Sequence, residues 1–258
     1  MKKGIYILPN LFTLGNMLCG FYAIISTIDG RFQHAALAIF AAALFDGLDG
    51  RIARLTGTCS RFGVEFDSLA DLLSFGMAPA LLIYIWALQP YQRIGWLAAF
   101  LFVICGALRL ARFNVQVYSS ESKHFTGLPI PAAAATIASF VLLHQFLFGE
   151  DGSKPILIAG LAYLLAFLMV SNIKYRNFKQ WKLKERKPFN VLVFIALLLL
   201  VILAQPQIMV FILISGYVIS GVVELIFLHN RVPHSYEDSP EKKKHFAGLA
   251  HFHERRKG

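Results

Sequence analysis

The sequence is short of charge. Only 16% of its 258 residues are Asp, Glu, Lys or Arg, whereas a soluble domain carries about 25%. Hydrophobic residues make up 57% of the chain, and they are collected in runs of roughly 20 residues, the length that a helix needs to cross a bilayer. The scarcity of charge and the length of these runs exclude a soluble protein built around one large core.

Cysteine is also scarce. The three thiols, Cys19, Cys59 and Cys105, lie in or beside the apolar runs. They lack the paired spacing of a zinc site and the framework of a disulfide-rich domain. We interpret them as small apolar residues. The sequence also lacks an evident internal repeat or low-complexity tract, so no repeat architecture is predicted.

The apolar runs predict an all-α, polytopic membrane bundle of about eight spans. The spans cover residues 10–29, 33–50, 66–88, 94–113, 128–148, 155–173, 189–205 and 207–228. The last two are separated only by the sequence QPQ, so they could equally form a hairpin that crosses incompletely. The first is interpreted as a span and not a cleavable signal peptide, because no small-residue cleavage site precedes a hydrophilic domain.

Basic residues are distributed unevenly between the two sides of the predicted bundle. With eight spans, every Lys and Arg except Arg31, Arg93 and Lys154 falls on the side of the two termini. Positively charged loops stay in the cytoplasm, so we expect both termini on the cytoplasmic side. The net charge of +10 is therefore attributed to topology and to anionic lipid, and not to nucleic acid.

The same distribution predicts the location of the protein. We expect a multi-pass protein of the bacterial inner (cytoplasmic) membrane, with both termini and any site at that end of the spans facing the cytoplasm. Membrane lipids are then its immediate surroundings, and nucleic acid is not an expected partner.

Four aspartates interrupt the apolar pattern at one end of spans two and three. Asp46 and Asp49 lie three residues apart, and Asp67 and Asp71 lie four apart, so each pair shares a helix face. The short connection 51–65 folds the two spans side by side. The sequence therefore predicts one cleft with four carboxylates at the cytoplasmic border of the membrane, where ionisable groups are usually functional.

Four carboxylates in one cleft repel one another, and divalent cations with oxygen ligands would neutralise them. Two cations about 3.5–4 Å apart, held by carboxylates, recur in enzymes that catalyse displacement at phosphorus. The alternative is that the aspartates form buried salt bridges with Arg51, Arg54 and Arg61.

Glycines are frequent around the aspartates. They would let a bulky polar ligand approach the backbone, or alternatively they would let membrane helices pack closely. The four positions are Gly47, Gly50, Gly57 and Gly63.

Residues 46–71 resemble the signature of the CDP-alcohol phosphotransferase family of integral membrane enzymes. The matching pattern is D-x2-D-G-x2-A-R-x8-G-x3-D-x3-D, which runs from Asp46 to Asp71 without a gap. The resemblance implies a six-helix core and a homodimer in the membrane. The domains that it implies are a transmembrane core at 1–175, a basic cytoplasmic loop at 176–188, two additional transmembrane helices at 189–228 and a basic cytoplasmic tail at 229–258.

Further stretches are most similar to the membrane-bound phosphatidylserine synthases of that family. They are LPNLFTLGNMLCGFYAI, EFDSLADLLSFGMAPA, GALRLARFNV and FTGLPIPAAA. This likeness implies a metal-dependent transferase of phospholipid biosynthesis, which moves the phosphatidyl group of CDP-diacylglycerol to the hydroxyl of L-serine and releases CMP.

Other functions are compatible with the same residues. Glycerol 3-phosphate or inositol could be the acceptor, and an ether-linked archaeal lipid could be the donor. A more distant alternative is a divalent-cation transporter. Transport sites tend to lie near the midplane of the bilayer, whereas these aspartates lie at one surface among arginines that would repel a permeating cation.

The resemblance also assigns roles to residues. Asp46, Asp49, Asp67 and Asp71 correspond to the ligands of two Mg²⁺ or Mn²⁺ ions, and Asp71 also corresponds to the general base that takes the proton of the acceptor hydroxyl. The residues that correspond to contacts with CDP-diacylglycerol are Asn10, Thr13, Gly50, Arg54, Ser60 and Gly63.

The acceptor pocket is inferred from the residues and not from the resemblance. Arg109 and Arg112 lie three residues apart at the cytoplasmic end of span four, with Asn114 nearby. One or both guanidinium groups would bind the carboxylate of serine. The alternative is that both arginines are anchors whose charged ends extend to the membrane surface.

Overall fold

The computed structural model of the protein describes residues 7–57, 60–118, 127–149, 156–171, 173 and 205–229. Within these ranges every regular element is helical, which confirms the predicted all-α class. The chain divides into two compact units, Met1–Val222 and Val223–Gly258. The second unit is described only over residues 223–229.

The described part of the chain contains eight α-helices. They are α1 (Ile7–Ile28), α2 (Phe32–Thr56), α3 (Arg61–Asp71), α4 (Ala78–Ile83), α5 (Gln92–Tyr118), α6 (Ile130–Phe148), α7 (Leu157–Val170) and α8 (Pro206–His229). A π-helical segment, Leu72–Met77, joins α3 to α4. A second π-helical segment, Tyr84–Leu88, and a 3-10 turn, Gln89–Tyr91, lead from α4 to α5.

Three helical stretches are long and apolar enough to cross a membrane: Asn10–Ile28, Arg61–Gln116 and Ile130–Phe148. The second has 56 residues, and a straight α-helix of that length would measure about 84 Å, far more than a bilayer. It turns at Gln92, where φ is 46°, and α5 packs back against the Leu72–Met77 segment.

The predicted spans correspond to these helices in part. Leu157–Val170 and Pro206–Gly221 are shorter apolar helices, and α2 covers the second predicted span without being one of the three long apolar stretches. The predicted span 189–205 lies outside the described residues, apart from Gln205. The long apolar helices support the interpretation of the chain as a membrane protein. The number of eight spans stays a prediction.

Helix α1 has two different faces. Its exposed face is a stripe of large apolar side chains: Leu11, Leu14, Leu18, Phe21, Ile25 and Ile28. The opposite face buries Thr13, Asn16 and Ala23. An exposed apolar stripe of this length is unfavourable in water, whereas in a membrane it faces acyl chains. The buried face packs against α2, where small residues such as Ala35 and Ala42 allow a close approach.

Candidate active site

Three of the four predicted aspartates, from α2 and α3, form one cluster. Carboxylate oxygens of Asp46, Asp49 and Asp67 all lie within 4.8 Å of one another. Asp71, the last residue of α3, interacts electrostatically with each of these three groups. Asp49 and Asp71 are only 5% and 8% exposed. The structure thus brings three of the four predicted ligands into one cluster, and Asp71 lies outside the group of oxygens within 4.8 Å of one another.

The reversal between α2 and α3 depends on two helix caps. Gly57 ends α2 in the left-handed conformation, with φ at 63°, and its N–H donates to the carbonyl of Ala53. Ser60 begins α3, and its Oγ accepts a hydrogen bond from the Gly63 N–H at 3.0 Å. Glycine adopts the left-handed conformation without steric cost. Gly57 therefore serves the turn itself, and not close helix packing.

Helix α1 supplies a hydrogen bond to one aspartate of each pair. Thr13 Oγ1 donates to Asp49 Oδ2 at 3.1 Å, and Asn16 Nδ2 donates to Asp71 Oδ1 at 3.1 Å. Both donors are almost fully buried. Asn16 was not predicted from the sequence. The available signal was a polar residue three positions after Thr13, on the same face of an apolar span.

The segment that follows Asp71 lies directly against the backbone of α1. Ser74 Oγ donates to the backbone carbonyl of Asn16 at 3.0 Å. A Cβ atom at Gly20 would lie 2.7 Å from the Cα of Ser74, so a larger residue cannot be placed there without moving one of the two segments. This contact holds the end of α3 beside α1 and so supports the hydrogen bond between Asn16 and Asp71.

The cluster fits a divalent cation. Asp67 Oδ1 is buried without a hydrogen-bond partner, and the carboxyl groups of Asp49 and Asp67 contact each other. A bound cation would satisfy the unpartnered oxygen and offset the repulsion, and an all-oxygen donor set suits Mg²⁺ or Mn²⁺.

The alternative of buried salt bridges is not observed at the cluster. Within the described residues, none of the four aspartates forms an ion pair with an arginine. The ion pair that is present joins Arg31 to Asp29 at 2.6 Å, near the start of α2. The negative charge of the cluster is therefore not neutralised by the arginines that surround it in sequence.

The residues predicted to contact CDP-diacylglycerol form two groups. A Cβ atom at Gly63 would lie 3.1 Å from Ser60 Oγ and 3.7 Å from Asn10 Oδ1, so these three residues lie together. Gly50 and Arg54 lie on α2, and a Cβ atom at Gly50 would meet only Arg54 Nη2, at 3.8 Å. Close helix packing therefore does not explain Gly50.

The two arginines predicted to bind serine have different surroundings. The guanidinium of Arg109 is partly buried and interacts electrostatically with Asp71 and Asp46. Arg112 is exposed, and its Nη1 donates to the carbonyl of Val170 at 3.5 Å. Residues three apart on an α-helix are rotated by about 60° from each other, which is enough to separate the two side chains.

Asn114 connects two helices near this end of α5. Its Nδ2 donates to Glu65 Oε2 at 3.1 Å and to Ser68 Oγ at 3.0 Å. Both acceptors belong to α3. These bonds tie α5 to the helix that carries Asp67 and Asp71.

Over the described residues, an all-helical fold with large apolar surfaces and a carboxylate cluster is typical of membrane enzymes that use a divalent cation. The family model described as CDP-alcohol phosphatidyltransferase matches residues 6–171, which is more than half of the chain. The chain therefore belongs to the CDP-alcohol phosphatidyltransferase family, and the family predicted from the sequence is confirmed. This family depends on divalent metals in general.

The chain is similar to several bacterial and archaeal proteins. A CDP-diacylglycerol–serine O-phosphatidyltransferase of Helicobacter pylori strain J99 is 41% identical over 224 residues, which cover 87% of this chain and 93% of the relative. A protein of the same name from Bacillus subtilis is 39% identical over 173 residues, 67% of this chain and 92% of the relative. An archaetidylserine synthase of Methanothermobacter thermautotrophicus is 44% identical over 170 residues, 65% of this chain and 69% of the relative.

Proposed function

We propose that the protein is a phosphatidylserine synthase, which transfers the phosphatidyl group of CDP-diacylglycerol to the hydroxyl of L-serine and releases CMP. One observation carries the proposal: the carboxylates of α2 and α3 converge in a family member whose relatives are named for this reaction. The site lies at the end of apolar helices, so a lipid donor and a water-soluble acceptor can both reach it.

The chemical step requires a base for the serine hydroxyl and a site that binds the diphosphate of the donor. The serine oxygen forms a bond to the phosphorus that bears diacylglycerol, and the bond from this phosphorus to the CMP oxygen breaks, so that the electron pair leaves with CMP. Asp71 takes the hydroxyl proton. Because Asn16 occupies Oδ1 of this carboxylate, we assign the proton to Oδ2. The value of Asp71 as a base comes from its fixed position.

The proposed cofactor is a pair of Mg²⁺ or Mn²⁺ ions, held by Asp46, Asp49, Asp67 and Asp71. When bound, they would offset the negative charge of the diphosphate and of the leaving oxygen. Thr13 keeps one oxygen of Asp49 oriented by its hydrogen bond. The ligand set thus depends on α1 as well as on α2 and α3.

The donor site is assigned to the two groups of residues beside the aspartates. Asn10, Ser60 and Gly63 would contact the nucleotide lipid from α1 and α3, while Gly50 and Arg54 would do so from α2. The exposed guanidinium of Arg54 suits phosphate oxygens, and the open space at Gly50 allows a phosphate to approach the backbone. Thr13 would contribute through Asp49.

The acceptor carboxylate is assigned to the arginines of α5. Arg109 is the principal candidate because it interacts with Asp71, the proposed base. A guanidinium there would hold the amino acid with its hydroxyl near the carboxylate of Asp71. Arg112 remains part of the proposal as a more peripheral contact, because it is exposed and bonded to Val170.

The remaining features of the proposal concern the whole protein. We place it as a homodimer in the bacterial inner membrane, with the aspartate cleft and both termini at the cytoplasmic side. Residues 1–175 form the catalytic core, and 176–188, 189–228 and 229–258 form the loop, the additional helices and the tail. The family model supports the extent of the core, because it matches residues 6–171.

A second donor is favoured by one observation. The archaeal relative is named archaetidylserine synthase and is 44% identical over 170 residues. An ether-linked CDP-activated lipid is therefore an alternative donor for the same transfer to serine. Comparing turnover of ester-linked and ether-linked donors at equal concentration would separate the two.

The test is CMP release by the purified protein in detergent micelles that contain CDP-diacylglycerol. We expect turnover with L-serine, much less with glycerol 3-phosphate or inositol, loss of activity with EDTA and recovery when Mg²⁺ or Mn²⁺ is added back. Turnover with glycerol 3-phosphate but not with serine would refute the proposed acceptor. Full activity in EDTA would refute the proposed cofactor.

A further inference from the structure

Helix α3 carries two of the proposed metal ligands, yet little of its surface is buried. It has 11 residues, which make about three turns, and of its side chains only Ala70 and Asp71 are buried. The large apolar side chains of Phe62 and Leu69 are exposed. A segment with few buried apolar contacts is held weakly by packing, so polar contacts should largely determine how α3 is oriented.

Asp67, in the middle of α3, is held differently from two of the other aspartates. Asp49 and Asp71 each accept a hydrogen bond from a buried side chain of α1. Among the described residues, by contrast, Asp67 Oδ1 is buried and has no hydrogen-bond partner. The direction of the Asp67 carboxylate therefore depends mainly on the position and rotation of the α3 backbone.

The residue next to Asp67 is bonded to α5. Asn114 Nδ2 donates to Ser68 Oγ at 3.0 Å and to Glu65 Oε2 at 3.1 Å. An amide nitrogen has two N–H donors, so both bonds can form at the same time. The Ser68 hydroxyl in turn donates to the Val64 carbonyl of its own helix at 3.0 Å. A single side chain of α5 is thus bonded to two positions of α3.

These two bonds resist rotation of α3 about its own axis. Glu65 and Ser68 lie three residues apart and therefore share one face of the helix. Neighbouring residues of an α-helix point about 100° apart, so fixing the direction of Ser68 also fixes the direction of Asp67. The bonds to Asn114 lie on one side of α3, and the ligand that they orient lies on another.

We propose that Asn114 is a positioning residue, which sets the rotation of α3 and so holds Asp67 among the ligands of the divalent cation. The inference rests on the proposed cofactor, because it assumes that a cation is bound where Asp46, Asp49 and Asp67 meet. The alternative is that Asn114 contacts the amino-acid acceptor, since it follows the arginines of α5 that are assigned to the acceptor site.

The first test is Asn114→Ala, which removes both bonds to α3. We expect the affinity for Mn²⁺ to fall about tenfold, because groups that orient metal ligands have effects of this size. Electron paramagnetic resonance of free Mn²⁺ measures the affinity directly, with CDP-diacylglycerol present and the acceptor absent. The KM for serine should stay within about twofold at saturating Mn²⁺. A raised serine KM with unchanged Mn²⁺ affinity would show an acceptor contact and overturn the inference.

The second test is milder, because Ser68→Ala removes one of the two bonds and leaves Asn114 in place. We expect a severalfold loss of Mn²⁺ affinity, whereas Ser68→Thr, which keeps the hydroxyl, should bind Mn²⁺ normally. The matched control is Ser139→Ala, which loses a hydroxyl that donates within its own helix to the Thr136 carbonyl at 3.0 Å. Its Mn²⁺ affinity should not change.

A double variant tests whether Ser68 and Asn114 act together. Once Asn114 is replaced by alanine, Ser68→Ala should cause little further loss of Mn²⁺ affinity, because the bond between them is already gone. Equal losses from Ser68→Ala with and without Asn114 would overturn the inference. Stabilisation by Mn²⁺ against thermal unfolding gives a further readout, and it should be smaller in Asn114→Ala than in Ser139→Ala.

The outcomes separate this inference from the proposed function. If the unmodified protein binds no Mn²⁺ in the presence of the donor, the proposed cofactor fails and the inference fails with it. If the unmodified protein binds Mn²⁺ and Asn114→Ala binds it equally well, only the inference is overturned. If an acceptor other than serine is used, the proposed acceptor fails, and weakened Mn²⁺ binding in Asn114→Ala would still support the inference.

Discussion

Helix α2 carries polar groups at both of its ends, and the two ends differ in how those groups are used. Asp46 and Asp49 lie near its end, about 20 Å from Gln33 near its start. A cleft at the start is lined by Gln33, Leu37, Phe40, Ser139, Leu142, Phe146, Pro206, Gln207 and Val210. That cleft is mostly apolar, and the hydroxyl of Ser139 donates to the Thr136 carbonyl at 3.0 Å.

The comparison shows that empty space alone does not define the site. At the aspartate end, charged oxygens crowd together and Asp67 Oδ1 has no hydrogen-bond partner. Such an arrangement is costly without a ligand. At the other end, apolar side chains line a cleft that lipid acyl chains can fill. The unfavourable free energy of the crowded carboxylates is therefore what indicates a functional site at this end.

The largest effect is expected at the aspartate cluster, from Asp71→Asn. The change keeps the size of the side chain but removes the base, so we expect kcat to fall at least about a thousandfold, while binding of CDP-diacylglycerol is largely kept. CMP release and equilibrium binding of the donor measure the two effects. The matched control is Asp29→Asn, in the exposed ion pair with Arg31, which should keep full activity. Full activity of Asp71→Asn would refute its role as the base.

A smaller effect is expected for Asn16→Ala. Without the hydrogen bond from Asn16, the carboxyl group of Asp71 can rotate. We therefore expect kcat to fall about tenfold to a hundredfold, which is the range for residues that orient a functional group. The KM for serine should change little, because Asn16 is not placed in the acceptor pocket. Gln145→Ala, which removes a buried amide from α6, is the control. A change confined to serine KM in Asn16→Ala would contradict the positioning role.

The smallest effect is expected at the far cleft. Gln33→Leu changes a side chain that lines this cleft at the opposite end of α2 from the aspartates. Its kcat and both KM values should stay within about twofold of the unmodified protein. A tenfold loss of activity would mean that the far cleft takes part in catalysis, and the contrast between the two ends would no longer hold.

Sequence patterns predicted the elements that depend on spacing. The helical period placed Asp46 with Asp49 and Asp67 with Asp71, and the short connection between the pairs predicted the cluster in which Asp46, Asp49 and Asp67 meet. The signature identified the family, because its residues are fixed at regular intervals. Hydropathy located most of the described helices, although it did not show where a span is interrupted by π-helical turns.

Contacts between distant segments could not be predicted in this way. The hydrogen bond from Asn16 to Asp71 joins residues 55 positions apart, and the close approach of Gly20 to Ser74 depends on how α1 packs. The different surroundings of Arg109 and Arg112 depend on small rotations about the axis of α5. Such features are determined by tertiary packing, and local sequence patterns contain little information about them.

The π-helical segment Leu72–Met77 determines how many residues the chain could lose just after Asp71. A π-turn holds an extra residue compared with an α-turn, and each residue of an α-helix rotates the chain by about 100°. Deleting a single amino acid here would let the segment relax to a regular α-helix, and Asp67 and Asp71 would keep their orientation relative to α4, because an α-turn and a π-turn each make one full rotation. The stretch should therefore tolerate the loss of one residue, whereas a second deletion would rotate the two aspartates by about 100° relative to α4.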